Sequence, residues 1–139
     1  MGMEKTTQTL QSINCIAAED PKSFIAHAES DFERAVQTLA EKIRDTDGCK
    51  MIMLAGPSAS GKTTTADMLT QTLSALGIKA HSISIDNFYK DQRESPSNHD
   101  GTPDYETVHA LDLPLWSRCM DELLVKGKTQ LPLFDFVTG

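Results

Sequence analysis

Gly56-Pro57-Ser58-Ala59-Ser60-Gly61-Lys62-Thr63 decides how this chain is read. The stretch fits G-x-x-x-x-G-K-[ST] at every fixed position. Chance supplies such a match in about 0.5% of chains this long, so the fit carries information. A short apolar run, Cys49 to Ala55, precedes it and a helical pattern follows, which is the setting a phosphate-binding loop requires. The residue types suit that role. Glycines let the backbone wrap closely around closely spaced anionic oxygens, with successive N–H groups turned inward. The helix start adds free N–H groups and a dipole that favours anions. Lys62 provides a mobile positive charge for the β- and γ-phosphates, and the Thr63 hydroxyl suits Mg²⁺. The candidate nucleotide-binding residues are therefore Gly56, Pro57, Ser58, Ala59, Ser60, Gly61, Lys62, Thr63 and, in the helix's first turn, Thr64. The motif implies a nucleoside triphosphate without separating a kinase from a GTPase or a motor.

Outward from the loop, strand and helix patterns alternate. Cys49–Ala55 reads as a buried strand. Lys62 to Leu76 reads as a helix with Ala66, Leu69, Leu73 and Leu76 on its inner stripe and Gly77 as its stop. Lys79–Ile85 reads as a second strand, residues 91–106 as a polar loop, and Leu113–Lys126 as a helix capped by Asp112 and ended by Gly127. Leu131–Phe136 starts a third strand. The alternation predicts an α/β fold with a parallel sheet flanked by helices. Before the loop, residues 1–20 read as a weakly structured arm. Asp20-Pro21 then opens an amphipathic helix, or two with a break near Ser30-Asp31, whose stripe runs from Phe24 to Ile43 and packs on a core. Two regions follow: residues 1–48, an arm and helix, and residues 49–139, the core that holds the loop.

Asp86 falls at the carboxyl end of the second predicted strand, the sheet edge where open α/β folds hold ligands. It can accept a proton from an attacking hydroxyl, hold Mg²⁺ or its water, or cap the turn that follows. Phe88 and Tyr89 read equally well as core residues or as the lining of an acceptor pocket.

Composition narrows the classes. The chain has 139 residues, one domain's worth, with 39% hydrophobic and 24% charged residues, as in a globular protein. Its net charge of −7 argues against nucleic-acid or anionic-lipid binding. No apolar run approaches the roughly 18 residues needed to span a bilayer, and the N-terminus lacks a secretory apolar core. Met1-Gly2 followed by Thr6 fits the loose myristoylation pattern, unsupported by basic neighbours. Cys15, Cys49 and Cys119 are odd in number and form no C-x-x-C pair, which points to reduced, mostly buried thiols in the cytoplasm. His27, His81, His99 and His109 lack metal-ligand spacing.

The loop, together with Ser84-Ile85-Asp86-Asn87-Phe88-Tyr89-Lys90, resembles the uridine kinase and phosphoribulokinase family of P-loop kinases, in its bacterial uridine kinase-like form. Pro103-Asp104-Tyr105-Glu106 and Ala110-Leu111-Asp112-Leu113-Pro114-Leu115 resemble the family's acceptor-binding segment and the helix after it. Leu131-Pro132-Leu133-Phe134-Asp135-Phe136 resembles its P-x-[YF]-D-F segment. The resemblance covers residues 49–139. It implies a P-loop NTPase fold and ATP-dependent, Mg²⁺-assisted phosphorylation of a hydroxyl, typically the 5′-hydroxyl of uridine or cytidine. By this likeness Asp86 is the general base and lies close to the metal, with Thr63 as the other metal-facing residue and Lys62 as the catalytic cation. Asp104 corresponds to the acid that holds the ribose hydroxyls, with Asp100 as its competitor. Tyr89 and Phe134 border the nucleoside. Phe134 replaces the common tyrosine, which bears on uridine specificity more than on kinase chemistry.

The family continues past the equivalent of Gly139 with basic residues, further strands and an arginine-bearing lid. The resemblance thus reads the chain as the N-terminal part of a longer kinase, with a short or assembled form as the alternative. A kinase for another small alcohol, of ribulose phosphate or pantothenate type, and an ATP-binding module without transfer are the rival readings. A GTPase is disfavoured because no N-K-x-D segment is found. The sequence leaves a homo-oligomer open.

Overall fold

A computed structural model describes residues 9–135. The chain divides into two compact units, one ending at Ala80 and the other beginning at His81.

The first unit opens with α1 (Leu10–Glu19) and α2 (Pro21–Arg44). The expected weak arm is therefore helical from Leu10 onward, while residues 1–8 lie outside the described residues. The reason is local. Thr9 Oγ1 accepts from Ser12 N–H at 3.1 Å, and Ser12 Oγ accepts from Thr9 N–H at 3.1 Å, a capping box that starts α1 without any long periodic run. Asp20 serves both helices. Its N–H closes α1 on the Ile16 carbonyl at 3.2 Å, and its carboxylate accepts from Ser23 N–H at 3.1 Å to cap α2. Pro21 fits the first helical position, where no N–H is needed. Helix α2 runs unbroken for 24 residues. Ser30 and Asp31 do not interrupt it, because they are exposed helix-interior residues that cost only tenths of a kcal/mol each.

α2 packs against α3 (Lys62–Ala75). Val36, Ala40, Leu69 and Leu73 form the buried centre, with Ile43, Met68, Leu76, Ile78 and Ala80 around it. The predicted α2 stripe is thus core only in part, since Ile25, Phe32 and Leu39 stay exposed. α3 ends as expected: Gly77 has φ +79° and Ile78 N–H reaches the Leu73 carbonyl at 2.9 Å.

The three predicted strands are not found among the described residues. Residues 49–55, 79–84 and 131–135 form no ladder, Ile85 opens a 3₁₀ turn instead, and Phe136 lies outside the described residues. The bridges seen are two isolated antiparallel pairs, Tyr89 with Leu111 and Ser97 with Pro103. A strand exists only when its N–H and C=O groups meet a neighbour, and apolar patterning supplies a face without supplying that neighbour. Accordingly Met51, Ile52, Met53 and Leu54, expected to be buried, are exposed.

In the second unit the 3₁₀ turn Ile85–Phe88 precedes α4 (Leu113–Lys126). Phe88, Cys119 and Met120 are buried together, with Ile83, Leu115, Trp116 and Leu123 against them. α4 has the predicted ends: Asp112 accepts from Leu115 N–H at 2.9 Å, and Gly127, at φ +69°, returns its N–H to the Leu123 carbonyl at 3.0 Å. Lys90 N–H to Ala110 O and Asp112 N–H to Phe88 O, both 2.8 Å, tie the Asp86 turn to the entry of α4. Of the three thiols only Cys119 is buried; Cys15 and Cys49 are exposed, contrary to the expectation of mostly buried thiols, because α1 and the 49–55 segment bury little. No helix among the described residues is long and apolar enough to cross a membrane.

Packing of this kind makes Leu73 expensive to shorten. Leu73→Ala should cost about 2–5 kcal/mol through lost transfer energy and a residual cavity, whereas Ile25→Ala on the exposed face should stay within about 0.5 kcal/mol. Denaturant unfolding followed by helical circular dichroism measures both, and equal costs would contradict the assigned core.

Candidate functional site

The loop reverses the chain between Gly56 and α3 without help from side-chain caps. Gly61 is the N-cap of α3, with φ +80°, and makes no side-chain cap hydrogen bond. Thr65 closes the first helical turn on the Gly61 carbonyl with both its N–H and its hydroxyl, each at 2.9 Å. The first-turn N–H groups of Lys62, Thr63 and Thr64 precede that bond, so they have no helical partner. This uncapped end is what an anion needs. A serine or aspartate cap would occupy the same donors. Gly56 is tight as well, because a Cβ there would come within 2.8 Å of Ser60 Oγ. The Lys62 ammonium folds back over the loop and donates to the carbonyls of Gly56 at 2.9 Å and Pro57 at 2.7 Å. It is thus held at the loop by exchangeable neutral acceptors, which an anionic phosphate outcompetes. The donor set fits a polyphosphate. Among the described residues no three His, Cys, Asp or Glu side chains gather as a metal cage. An ion carried in on phosphate oxygens needs few protein ligands, and Thr63 is exposed at the right end of α3 to supply one.

Asp86 sits in the 3₁₀ turn Ile85–Phe88, exposed, where its N–H bonds Ser84 Oγ at 3.3 Å. The turn replaces the end of the predicted strand and presents Asp86 beside Phe88, which anchors the turn in the core. Tyr89 and Phe134, named from sequence, do come together, and Tyr105 joins them. Ring centroids lie 4.9 Å apart for Tyr89–Tyr105, 5.6 Å for Tyr89–Phe134 and 5.9 Å for Tyr105–Phe134, all edge-to-face. The Tyr89 hydroxyl donates to the Tyr105 carbonyl at 3.0 Å. Tyr105 was not singled out as a site residue; the signal was its place in Pro103-Asp104-Tyr105-Glu106. Asp104 is half-buried beside this cluster in sequence, with its N–H on the Pro96 carbonyl at 2.7 Å and its carboxylate accepting from Glu106 N–H at 3.0 Å. Its competitor Asp100 is engaged in its own turn. The Thr102 hydroxyl at 2.6 Å and N–H at 3.0 Å hold that carboxyl below its ordinary range.

Shallow concavities of about 650 and 550 Å³ run along α4 and the segment after it, lined by residues such as Arg118, Glu122 and Lys126. Neither lining includes a predicted site residue. There the Glu122 carboxylate accepts from Thr129 and Lys126 and is held low by those bonds, a local tie at the end of α4.

The profile of the Phosphoribulokinase / Uridine kinase family matches residues 51–139, more than half of the chain. The chain belongs to this family. A uridine kinase of Deinococcus deserti is 34% identical over 86 residues, 62% of this chain and 41% of the relative. A uridine kinase of Mycoplasma genitalium is 32% identical over 87 residues, 63% and 40%. Uridine-cytidine kinase C of Dictyostelium discoideum is 32% identical over 104 residues, 74% and 20%. The chain therefore spans about two-fifths or less of the length of these relatives. No solved structure matches it. The family implies the P-loop NTPase fold; within the described residues its loop and helix are present, and its parallel sheet is not.

Membership in the phosphoribulokinase and uridine kinase family makes the aromatic cluster open to a direct check. Partial burial, then the negative charges of Asp86 and Glu106, raise the Tyr89 phenol above its ordinary pKa near 10. The folded state thus holds this proton longer than the unfolded one. The stabilisation is complete below pH ~10 and is lost as pH rises through the folded-state value. Ultraviolet titration should show a phenol ionising above the free-tyrosine range, absent in Tyr89→Phe. Its persistence in that variant would contradict the assignment.

Proposed function

We propose that this chain carries the donor loop and the acceptor-facing acid of an ATP-dependent nucleoside kinase that phosphorylates the 5′-hydroxyl of uridine or cytidine. The observation that carries the reading is the uncapped, αL-glycine entry into α3 beneath Lys62, in a chain whose matched relatives are named uridine kinases. The region assigned to the kinase is residues 49–139, and the absence of a membrane-spanning helix among the described residues suits a cytoplasmic enzyme.

In this reading the N–H groups of residues 58–64 bind the β- and γ-phosphates. Lys62 leaves the Gly56 and Pro57 carbonyls for the phosphate oxygens and spreads the charge that develops in transfer. Magnesium, when bound, would neutralise phosphate charge, with Thr63 and Asp86 as the residues proposed to hold it. Asp86 orients the acceptor hydroxyl and takes its proton. The hydroxyl oxygen forms a bond to the γ-phosphorus as the bond to the β–γ bridging oxygen breaks, and ADP leaves. Asp104 holds the ribose hydroxyls, and Tyr89, Tyr105 and Phe134 wall the base or sugar. A second reading has one observation in its favour. Phe134 keeps the edge-to-face packing with both tyrosines but offers no hydroxyl to the acceptor, which suits a small alcohol other than uridine.

Two substitutions in the intact protein separate these roles. Lys62→Ala should weaken MgATP binding by about 10–100-fold, the worth of a charge-assisted hydrogen bond or two, and remove transfer. Asp86→Asn should bind MgATP nearly as the wild type does and lose about 10²–10⁴-fold in kcat with uridine. Titrations with labelled ATP, and an acceptor screen that includes cytidine, ribulose phosphate and pantothenate, read both. Normal phosphorylation by the Asp86→Asn protein refutes the base assignment, and ATP uptake without transfer to any acceptor favours a binding module.

A further inference from the structure

Helix α2 lies wholly before the residues that match the family, yet it supplies half of the core under the loop-bearing helix. Val36 and Ala40 meet Leu69 and Leu73, and Ala40 has no exposed surface at all. A residue with a single methyl side chain and 0% exposure marks a place where two helices approach closely, and a larger side chain there has to drive them apart. The other end of α3 is the loop. Its cap, Gly61, brings no side chain, and the bonds that close the first turn run only from Thr65 back to Gly61. The side-chain bonds at the start of α3, from Lys62 to the Gly56 and Pro57 carbonyls and from Thr65 to the Gly61 carbonyl, stay within the loop and the first turn. Its direction comes from packing along its body, where Leu69 sits two turns beyond Lys62.

We propose that α2 is a positioning brace for the phosphate loop, with Ala40 and Val36 setting where the first-turn N–H groups of Lys62, Thr63 and Thr64 stand. The proposal rests on the reading of the loop as a triphosphate site and extends its control to residues outside the family match. A hydrogen-bonded helix moves largely as a rigid rod, so displacing α3 where it meets Ala40 also moves the first turn of α3. A preorganised cradle tolerates only about 0.5 Å of such error.

The test uses the intact protein and compares Ala40→Leu, Ala40→Ser and Val36→Ala with Leu39→Ser on the exposed face of α2. MgATP affinity is measured by calorimetry at a temperature where circular dichroism shows each variant folded, and thermal midpoints are recorded separately. Ala40→Leu should weaken MgATP by tenfold or more and Val36→Ala by about threefold. Ala40→Ser and Leu39→Ser should remain within about twofold of the wild type. Should Ala40→Leu fail to fold, Val36→Ala carries the same comparison with less disturbance. Folded variants that melt earlier yet bind MgATP as the wild type does overturn the brace and leave the nucleotide site standing. A wild type that binds no triphosphate overturns both.

Discussion

Phosphate oxygens are best held by backbone N–H groups that nothing in the protein already satisfies. Most helix starts forfeit that property, because a serine, threonine or aspartate cap consumes the donors. Here Gly61 at φ +80° turns the chain into α3 without a capping side chain, and Gly56 leaves the room that Ser60 Oγ would otherwise contest. Lys62 bridges the two ends of the turn through the Gly56 and Pro57 carbonyls. The same residues that make the turn geometrically possible leave first-turn donors open, and in the proposed reading an anion takes them.

The side proposed for the acceptor is built by different means. Asp86 is exposed, but the turn that carries it is anchored by buried Phe88 and by two 2.8 Å backbone bonds to the stretch before α4. Three rings gather from segments distant in sequence, and the Tyr89 hydroxyl pins the 91–106 loop through the Tyr105 carbonyl. In the proposed reading, this anchored turn presents the Asp86 carboxylate to the acceptor hydroxyl and the aromatic rings border the acceptor.

What could be read from sequence follows from how local each signal is. The ends of α3 and α4 were legible because Gly77, Asp112 and Gly127 act within one turn. The loop was legible because its glycines and lysine have fixed spacing. The start of α1 was missed although its signal, Thr9 and Ser12, was local; a capping box with serine in place of glutamate is easily passed over. The sheet expected from runs such as Met51–Leu54 is not seen among the described residues, since a parallel strand depends on neighbours that apolar patterning cannot report. Tyr105 escaped notice because its partners, Tyr89 and Phe134, lie far along the chain and only folding joins them. The α2 stripe was legible as core packing, but its partners were not: only folding sets Ala40 against Leu69 and Leu73.

Isothermal calorimetry on the folded wild-type chain, with ATP and GTP in the presence and absence of magnesium, reaches the central assertion most directly. Uptake of about one purine triphosphate per chain, strengthened by magnesium and competed by inorganic triphosphate, is the result expected of a backbone cradle between Gly56 and Thr64. A folded chain that takes up no purine triphosphate under any of these conditions would contradict it.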